Sequence, residues 1–218
     1  MDDPPATRIG RAYAEALLAG DEVAAEVAIR DALHARLSTA EIDELIIAPA
    51  LWLIGQLWER NEISVADEHI ATEISLRVLA LQREAARLAR ARRKHLVMLA
   101  APCGELHVVA LRMVHNLLRE AGYDALMLGA DVPPGALAYA AKRHRPDVLC
   151  LSATMAGGSD QVLVAIHEVQ QACPGATYIV GGRGLTSRLH ARAGIAVCER
   201  VSDVVGAVDA LIKRADLN

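Results

Sequence analysis

Near the middle of the chain, an apolar run is followed by a histidine that has a carboxylate two residues before it. The run is His95–Ala101, and the pair is Glu105 and His107. A neutral imidazole binds metal through one ring nitrogen, and a carboxylate bonded to the other nitrogen fixes the tautomer and raises ligand basicity. His107 is therefore a candidate metal ligand, with Glu105 as its supporting carboxylate. The alternative is a helix-start carboxylate beside a histidine without a ligand role.

Small polar residues and glycines follow two later apolar runs. Ser152 and Thr154 end one of them, and Gly181 and Gly182 end the next. Hydroxyl groups can bond a polar ligand, and glycine lets a backbone approach closely because it lacks a Cβ atom. Taken alone, these are ordinary turn residues.

Together, the three signals resemble the cobalamin-binding domain family. Residues 105–110, Glu-Leu-His-Val-Val-Ala, resemble the Asp-x-His-x-x-Gly loop that supplies the imidazole below cobalt. Residues 152–154 and 181–182 resemble the Ser-x-Leu and Gly-Gly elements along the nucleotide tail, at close to the usual spacings. The resemblance implies that His107 binds cobalt and that Leu106 and Ala110 belong to the cofactor loop.

Two positions of this loop depart from the family pattern. Glu105 stands where Asp is commoner, and Ala110 stands where the family has Gly. Neither change removes the metal ligand. The methyl group of Ala110 adds volume where the family allows close approach of the cofactor tail.

The first half of the chain carries a second group of residues that can contact a nucleoside. Trp58 is followed after nine residues by Glu68 and His69. An indole offers a flat apolar wall, a carboxylate can accept bonds from sugar hydroxyls, and a histidine can complete the network. The alternative places Trp58 in a helical core, and Glu68 and His69 in a first helical turn.

This spacing resembles the Trp-x9-Glu-His signature of cobalamin-dependent photoreceptors. The resemblance implies that a helical bundle caps the upper face of adenosylcobalamin, with Trp58 over the adenosyl group and Glu68 and His69 on nearby polar atoms. Light-responsive repressors of this kind also carry a histidine directly after the tryptophan, where this chain has Glu59. His69 is the nearest substitute for that histidine.

The domain content also differs from that of the repressors. No winged helix-turn-helix precedes the bundle, so we expect that the chain is not a complete repressor. Photocobilins, cobalamin photoreceptors that additionally bind a bilin, are more similar in this respect. Biliverdin is therefore a hypothetical second chromophore. Cys103 and the other three cysteines are better explained as packing thiols than as its anchors.

Helical periodicity extends over residues 9–93. The predicted helices are Ile9–Leu18, Glu22–Leu37, a third from the capping box at Ser38 to about Arg60, and a fourth from the capping box at Ser64 to about Arg93. Gly20 and Asp21 predict a break followed by an N-cap. We expect a four-helix bundle over residues 9–93, after a loose tail at residues 1–8.

After Lys94, short apolar runs alternate with amphipathic segments, which is typical of parallel βαβ units. The predicted strands are His95–Ala101, Ala125–Leu128, Val148–Ser152, Thr177–Val180 and Ile195–Cys198. The predicted helices are Val108–Ala121, Gly135–His144, Ser159–Ala172, Leu185–Ala193 and Asp203–Ala215. The fold class is therefore α/β, with a doubly wound, Rossmann-like parallel sheet over residues 94–218. Ligands of such sheets bind beyond the carboxyl ends of the strands, where all three signals fall.

Composition limits the classes of partner. The chain has 218 residues, 53% hydrophobic content and a net charge of −4, which suits a globular protein and gives no electrostatic attraction to phosphate. We expect no direct nucleic-acid binding. No apolar run reaches membrane-spanning length, the acidic start is not a signal peptide, and the cysteines do not form a disulfide framework. These features predict a cytoplasmic protein.

The function predicted from these resemblances is a light sensor. Photolysis of bound adenosylcobalamin would alter assembly of a homo-oligomer or binding to a separate output protein, which makes the chain a switch rather than an enzyme. The competing hypothesis is a corrinoid methyl carrier of a methyltransferase system. A weaker third hypothesis is cobalamin storage or delivery.

Overall fold

The computed structural model describes residues 3–86, 94–186, 189 and 194–215. The chain divides into two compact units, Met1–Ala86 and Arg87–Asn218. The first unit is helical, and the second contains a parallel sheet with helices. The predicted α/β class with an N-terminal helical bundle is confirmed.

The helical unit contains the four predicted helices. The first two are α1 (Pro5–Ala19) and α2 (Glu22–His34). Gly20 ends α1 with a left-handed backbone (φ 64°), and the side chain of Asp21 then caps α2 by accepting the amide hydrogen of Ala24 at 2.9 Å. The predicted break and N-cap are therefore confirmed.

The predicted tail at residues 1–8 differs from the structure, because α1 begins at Pro5. Proline has no amide hydrogen, and its fixed φ suits the first position of a helix, where no intrahelical bond is lost. The carbonyl of Pro4 accepts the amides of Thr7 and Arg8 at 3.0 and 3.2 Å. The two prolines thus start a helix rather than prevent one.

The third helix contains a π-helical turn. It consists of α3 (Thr39–Ile42), the π-turn (Asp43–Ile47) and α4 (Ala48–Glu59), and the backbone stays right-handed at both junctions. Pro49 cannot donate to the carbonyl four residues earlier, that of Leu45, and its ring crowds that carbonyl. The π-turn therefore lies where proline prevents regular α-helical bonding.

The fourth helix is α5 (Val65–Ala86). Both predicted capping boxes are present. The amides of Glu41 and Asp67 donate to the hydroxyls of Ser38 and Ser64, and the carboxylates of Glu41 and Asp67 accept the amides of Ser38 and Ser64. The predicted extension of this helix through residues 87–93 lies outside the described residues.

Apolar side chains and one buried polar pair form the core of the helical unit. The hydroxyl of Tyr13 on α1 donates to that of Ser75 on α5 at 3.0 Å, and Ser75 donates to the Ala71 carbonyl at 2.9 Å. Buried aliphatic residues surround this pair, among them Leu17, Ile29, Ile42, Ile46, Ile47, Ile54, Val78 and Leu79.

The second unit is built on a five-stranded parallel sheet with the strand order β2-β1-β3-β4-β5. The strands are β1 (Leu96–Pro102), β2 (Asp124–Val132), β3 (Val148–Ser152), β4 (Thr177–Gly181) and β5 (Ile195–Cys198). The helices are α6 (Val109–Glu120), α7 (Pro134–His144), α8 (Gly158–Ala172) and α9 (Val204–Ala215), the last preceded by a 3₁₀ turn at Val201–Asp203. Most of the predicted helix Leu185–Ala193 lies outside the described residues.

Buried side chains cover both faces of this sheet, as expected for parallel strands. One cluster contains Met98, Leu149 and Leu151 from the strands with Leu137, Val162 and Ile166 from α7 and α8. The opposite cluster contains Val97, Leu99, Cys150 and Ile179 with Leu111, Leu118, Val208 and Ile212 from α6 and α9. No helix in the described part of the chain is long and apolar enough to cross a membrane.

Candidate functional site

The three predicted signals meet at one edge of the sheet. β1 pairs with β3 and β3 pairs with β4, all in parallel, so the carboxyl ends of these strands lie side by side. The strands end at Pro102, Ser152 and Gly181. The strand order reverses beside β1, which is where doubly wound folds bind ligands.

The carboxylate of Glu105 joins two of the loops at this edge. Oε1 accepts the backbone amide of His107 at 2.9 Å and lies 2.6 Å from Nδ1 of its ring. Oε2 accepts the amides of Thr154 and Met155, from the loop after β3, at 2.5 and 3.1 Å. Glu105 is buried. One side chain therefore fixes both the histidine and the neighbouring loop.

These bonds also determine the ionisation of Glu105. Burial by itself raises the pKa of this carboxyl, but the bonds from the amides of His107, Thr154 and Met155 and from the His107 ring outweigh it, and the pKa lies below its ordinary value. The carboxylate is therefore ionised at neutral pH and can only accept hydrogen bonds. Nδ1 of His107 must be the donor.

This arrangement prepares His107 to bind a metal through Nε2. Nδ1 is engaged with Glu105, and the histidine side chain is 54% exposed. An exposed imidazole that donates its other N–H to a carboxylate is the usual arrangement of a metal-bound histidine. The residues present therefore fit a metal ion such as cobalt, for which His107 would supply a nitrogen ligand.

Asp131, which the sequence reasoning missed, supports the same loop from the other side. Its carboxylate accepts the amide of Gly104 at 2.7 Å, and its own amide donates to the carbonyl of Glu105 at 2.9 Å. Asp131 lies in β2 with a left-handed backbone (φ 49°). A short polar residue that tolerates this conformation, just before Val132 and Pro133, was the available signal.

The predicted hydroxyl residues have different surroundings. Ser152 is buried and pairs with Gly181 in the ladder between β3 and β4. Thr154 is half-buried, and its amide is bonded to Glu105. The structure thus places both residues at the predicted edge and gives Thr154 a part in holding the Glu105 carboxylate.

The glycines allow close packing of the chain against itself. A Cβ on Gly182, whose φ is +113°, would lie 2.2 Å from the carbonyl oxygen of Ala153. A Cβ on Gly184 would lie 2.0 Å from that of Met155, and the Gly184 amide donates to the Ala153 carbonyl at 3.0 Å. We predicted that Gly181 and Gly182 make room for a cofactor. In the structure, the absence of a Cβ at Gly182 and Gly184 lets the backbone pack closely against the loop after β3.

Two exposed apolar side chains occur in these loops. Leu106, next to His107, is 70% exposed, and Met155 is 55% exposed. Ala110 is half-buried in the first turn of α6. Leu106 and Ala110 were predicted as cofactor contacts, whereas Met155 was missed because one methionine in a loop carries no sequence signal.

In the helical unit, the other predicted residues lie at the junction between α4 and α5. Trp58 is in the last turn of α4 and is 46% exposed, so it is not a core residue. Glu68 and His69 are in the first turns of α5, and Glu68 Oε2 lies 2.6 Å from Nδ1 of His69. Thr72, which was not predicted, donates its hydroxyl to Glu68 Oε1 at 2.9 Å. The side chain of His69 is 73% exposed.

The four cysteines are free thiols. Cys150 and Cys198 are buried, and burial raises the pKa of both thiols, which makes them unreactive. Cys103 is exposed in the loop before Glu105.

Comparison with known families assigns both parts of the chain to the same cofactor. The B12 binding domain family matches residues 95–207, and a second B12 binding domain family matches residues 9–81. The predicted resemblance to cobalamin-binding proteins is confirmed.

Two curated relatives are transcriptional repressors of Myxococcus xanthus. The HTH-type transcriptional repressor CarH is 29% identical over 194 residues, which are 87% of this chain and 62% of the repressor. The HTH-type transcriptional repressor CarA is 32% identical over 129 residues, which are 59% of this chain and 44% of the repressor. The chain therefore spans less than two thirds of the length of either relative.

A solved structure shows the same fold. The monomethylamine corrinoid protein of Methanosarcina barkeri superposes with a TM-score of 0.76, covering 91% of this chain and 96% of that protein, at 16% identity.

Proposed function

Because the chain belongs to the B12 binding domain family, whose match covers residues 95–207, we propose that it is a cobalamin-dependent light sensor. Its role is that of a binding switch rather than an enzyme. Adenosylcobalamin is the proposed form of the cofactor, and when bound it supplies a cobalt–carbon bond that visible light breaks. The remaining roles belong to residues of this chain.

His107 would supply a nitrogen ligand to the cobalt of the bound cofactor. The ionised Glu105 keeps the Nδ1–H tautomer, raises the basicity of Nε2 and ties the histidine to the amides of Thr154 and Met155. Leu106 and Met155 offer exposed apolar surface for the rim of the corrin ring. These groups bind and orient the cofactor without a change in their covalent structure.

Trp58 would cover the adenosyl group of the bound cofactor. The observations that carry this proposal are the exposure of Trp58 at the end of α4 and the hydrogen-bonded Glu68–His69 pair near the start of α5. A half-exposed indole can cover an adenine ring, and the Glu68 carboxylate can accept bonds from ribose hydroxyls. Loss of the adenosyl group removes these contacts.

The output of the switch is a change in assembly of a homo-oligomer or in affinity for a separate output protein. A ligand shifts a conformational equilibrium only when it contacts the two conformations differently. A difference in the contacts of Trp58 between the dark and illuminated states would therefore change the assembly or the affinity for the output protein. Biliverdin remains a proposed second chromophore.

The competing proposal is a corrinoid methyl carrier. Glu59, an exposed residue at the end of α4, supports it, because photoreceptor repressors carry a histidine at this position. A carrier needs the lower ligand His107 but has no need for a tryptophan over an adenosyl group. The two proposals therefore differ in what they require of Trp58.

A light experiment separates the proposals. The full chain is loaded with adenosylcobalamin in darkness, and its absorption spectrum and elution volume are recorded before and after a green pulse. Trp58→Ala is the test variant. Trp52→Ala is the matched control, since Trp52 lies on the same helix and is 51% exposed.

A sensor predicts spectral conversion with a changed elution volume in the wild type and in Trp52→Ala, and a weakened response in Trp58→Ala. Tight binding without any change in elution volume favours the carrier. Equal responses of both variants would overturn the assignment of Trp58.

A further inference from the structure

The end of β2 is irregular where it meets the loop after β1. Its pairing with β1 shifts register between Leu99 and Ala100 and again between Ala100 and Pro102. Gly129 and Asp131 both have left-handed backbones, with φ of 99° and 49°. Irregularities of this kind change the direction of a side chain, and they are common beside binding sites. The side chain that this strand end brings to the loop is that of Asp131.

Asp131 uses only one of its carboxylate oxygens to hold the loop. Oδ1 accepts the amide of Gly104 at 2.7 Å, and the backbone amide of Asp131 donates to the carbonyl of Glu105 at 2.9 Å. Among the residues that the structure describes, none donates a hydrogen bond to Oδ2 and none forms an ion pair with Asp131. The residue is exposed. Oδ2 is therefore open to a ligand.

Neither the loop nor the backbone requires a charge at this position. Asparagine tolerates a left-handed backbone as aspartate does, and its amide oxygen could accept the same bond from Gly104. Aspartate adds a negative charge and a second acceptor oxygen, which no contact within the described part of the chain uses. The feature of Asp131 that the fold does not explain is an exposed anionic acceptor.

This acceptor lies at the edge where the cofactor is proposed to bind. β2 pairs with β1 in parallel, so the carboxyl ends of the two strands are neighbours. The carbonyl that Asp131 bonds belongs to Glu105, whose carboxylate holds the ring of His107. The corrin of cobalamin carries primary carboxamides around its periphery, and their N–H groups are hydrogen-bond donors. A cofactor bound at His107 would bring such donors to this edge.

We propose that Oδ2 of Asp131 accepts a hydrogen bond from a peripheral amide of the corrin and thereby selects fully amidated corrinoids. This inference rests on the proposed binding of cobalamin at His107. A carboxylate accepts hydrogen bonds and donates none, so it pairs with an amide N–H but repels a second carboxylate. A corrinoid that carries a carboxylic acid in place of that amide would set two negative charges against each other.

The probes are aquocobalamin and its monocarboxylic acid isomers, in each of which one propionamide side chain is hydrolysed. Absorption titration in darkness measures their dissociation constants for the full chain as wild type, Asp131→Asn and Asp124→Asn. Asparagine at residue 131 keeps the acceptor for Gly104 and adds an N–H group that can donate to a carboxylate. Asp124 is the matched control, because it is an exposed aspartate at the opposite end of β2.

The wild type and Asp124→Asn are expected to bind one isomer roughly 10-fold or more weakly than aquocobalamin, because repulsion replaces a hydrogen bond. In Asp131→Asn, the ratio of the two dissociation constants should fall towards unity for this isomer. Equal affinities of the wild type for all these corrinoids, or ratios that Asp131→Asn leaves unchanged for every isomer, would overturn the proposal.

A second measurement needs no variant. The repulsion acts between charges at an exposed position, so salt should screen it, and the wild type should discriminate less against this isomer at high ionic strength. Discrimination that does not depend on salt would contradict the proposal. A wild type that does not bind aquocobalamin at all would overturn the proposed function as well, whereas binding without discrimination overturns only the role of Asp131.

Discussion

Glu105 bonds His107 twice, accepting its backbone amide at 2.9 Å and lying 2.6 Å from its ring nitrogen Nδ1, both through the same carboxylate oxygen. The other oxygen is left for the amides of Thr154 and Met155, 49 and 50 residues further along the chain. His107, the proposed cobalt ligand, is thereby fixed to the loop after β3. Several consequences of this arrangement can be measured.

Replacement of Glu105 is expected to weaken cobalamin binding. Glu105→Ala removes the carboxylate that orients His107 and should lower affinity by roughly 10–100-fold, as is usual for supporting partners of metal ligands. Titration of aquocobalamin by absorption measures this loss. Glu168→Ala, at an exposed position of α8, should leave the affinity unchanged. An unchanged affinity in Glu105→Ala would refute the role of the carboxylate.

Asp131 should stabilise the loop through its bond to the amide of Gly104. Asp131→Gly keeps the left-handed backbone accessible but removes the acceptor, so unfolding in urea should show a loss of about 1 kcal/mol. Asp131→Asn keeps an acceptor and tolerates the same backbone, so it should be close to the wild type. Equal losses in both variants would show that the carboxylate charge, and not this hydrogen bond, matters.

Replacing Gly182 and Gly206 by alanine should change the free energy of unfolding in opposite directions. Gly182→Ala places a Cβ 2.2 Å from the Ala153 carbonyl oxygen at a φ of +113°, and should destabilise the protein by about 1–3 kcal/mol. Gly206 lies inside α9 with no atom within 4 Å of an added Cβ, so Gly206→Ala should stabilise it by about 0.5–1 kcal/mol. Urea unfolding of both variants measures the difference, and a neutral Gly182→Ala would exclude the close approach.

The buried Tyr13 should make the protein less stable as the pH rises in the alkaline range. The pKa of Tyr13 is raised from 10.0 to about 12, mainly because the side chain is buried; the hydrogen bond with Ser75 lowers the pKa, and the charge of Asp43 raises it. Because the pKa of Tyr13 is higher in the folded state than in the unfolded state, the neutral side chain contributes fully to the free energy of unfolding below pH 10. This contribution is lost as the pH rises through about 12.

Tyr13→Phe should therefore cost about 1 kcal/mol at neutral pH, from the lost hydrogen bond, and should remove an alkaline loss of roughly 2–3 kcal/mol. Urea unfolding at several pH values compares it with Tyr139→Phe, a control at a 67% exposed position. A steep alkaline loss that persists in Tyr13→Phe would assign the dependence to another group.

The sequence predicted most of the elements because their signals are local. Capping at Ser38 and Ser64, the glycine at residue 20 and the apolar runs of the strands all act within a few residues. The early start of α1 was missed because residues 1–8 were expected to form a loose tail, whereas proline fits the first position of a helix. The π-turn was missed because an inserted residue leaves helical periodicity nearly intact.

The sequence predicted the sheet edge at which these residues lie and the pairing of Glu105 with His107, but it did not predict the bonds between the loops. The Glu105 carboxylate accepts the backbone amides of Thr154 and Met155, and the Asp131 carboxylate, near the end of β2, accepts the amide of Gly104. Backbone donors are present at nearly every residue, so no residue type marks these partners. Only the folded positions of the loops select them.

The most direct test of the central claim, that His107 binds cobalt, identifies the nitrogen atom bound to the metal. The full chain, labelled with ¹⁵N in its histidines, is loaded with the cobalt(II) form of cobalamin and examined by EPR. A histidine ligand converts the nitrogen splitting from a triplet to a doublet, and the account predicts a doublet that His107→Ala abolishes. A triplet in the labelled wild type would mean that no histidine binds cobalt and would contradict the account.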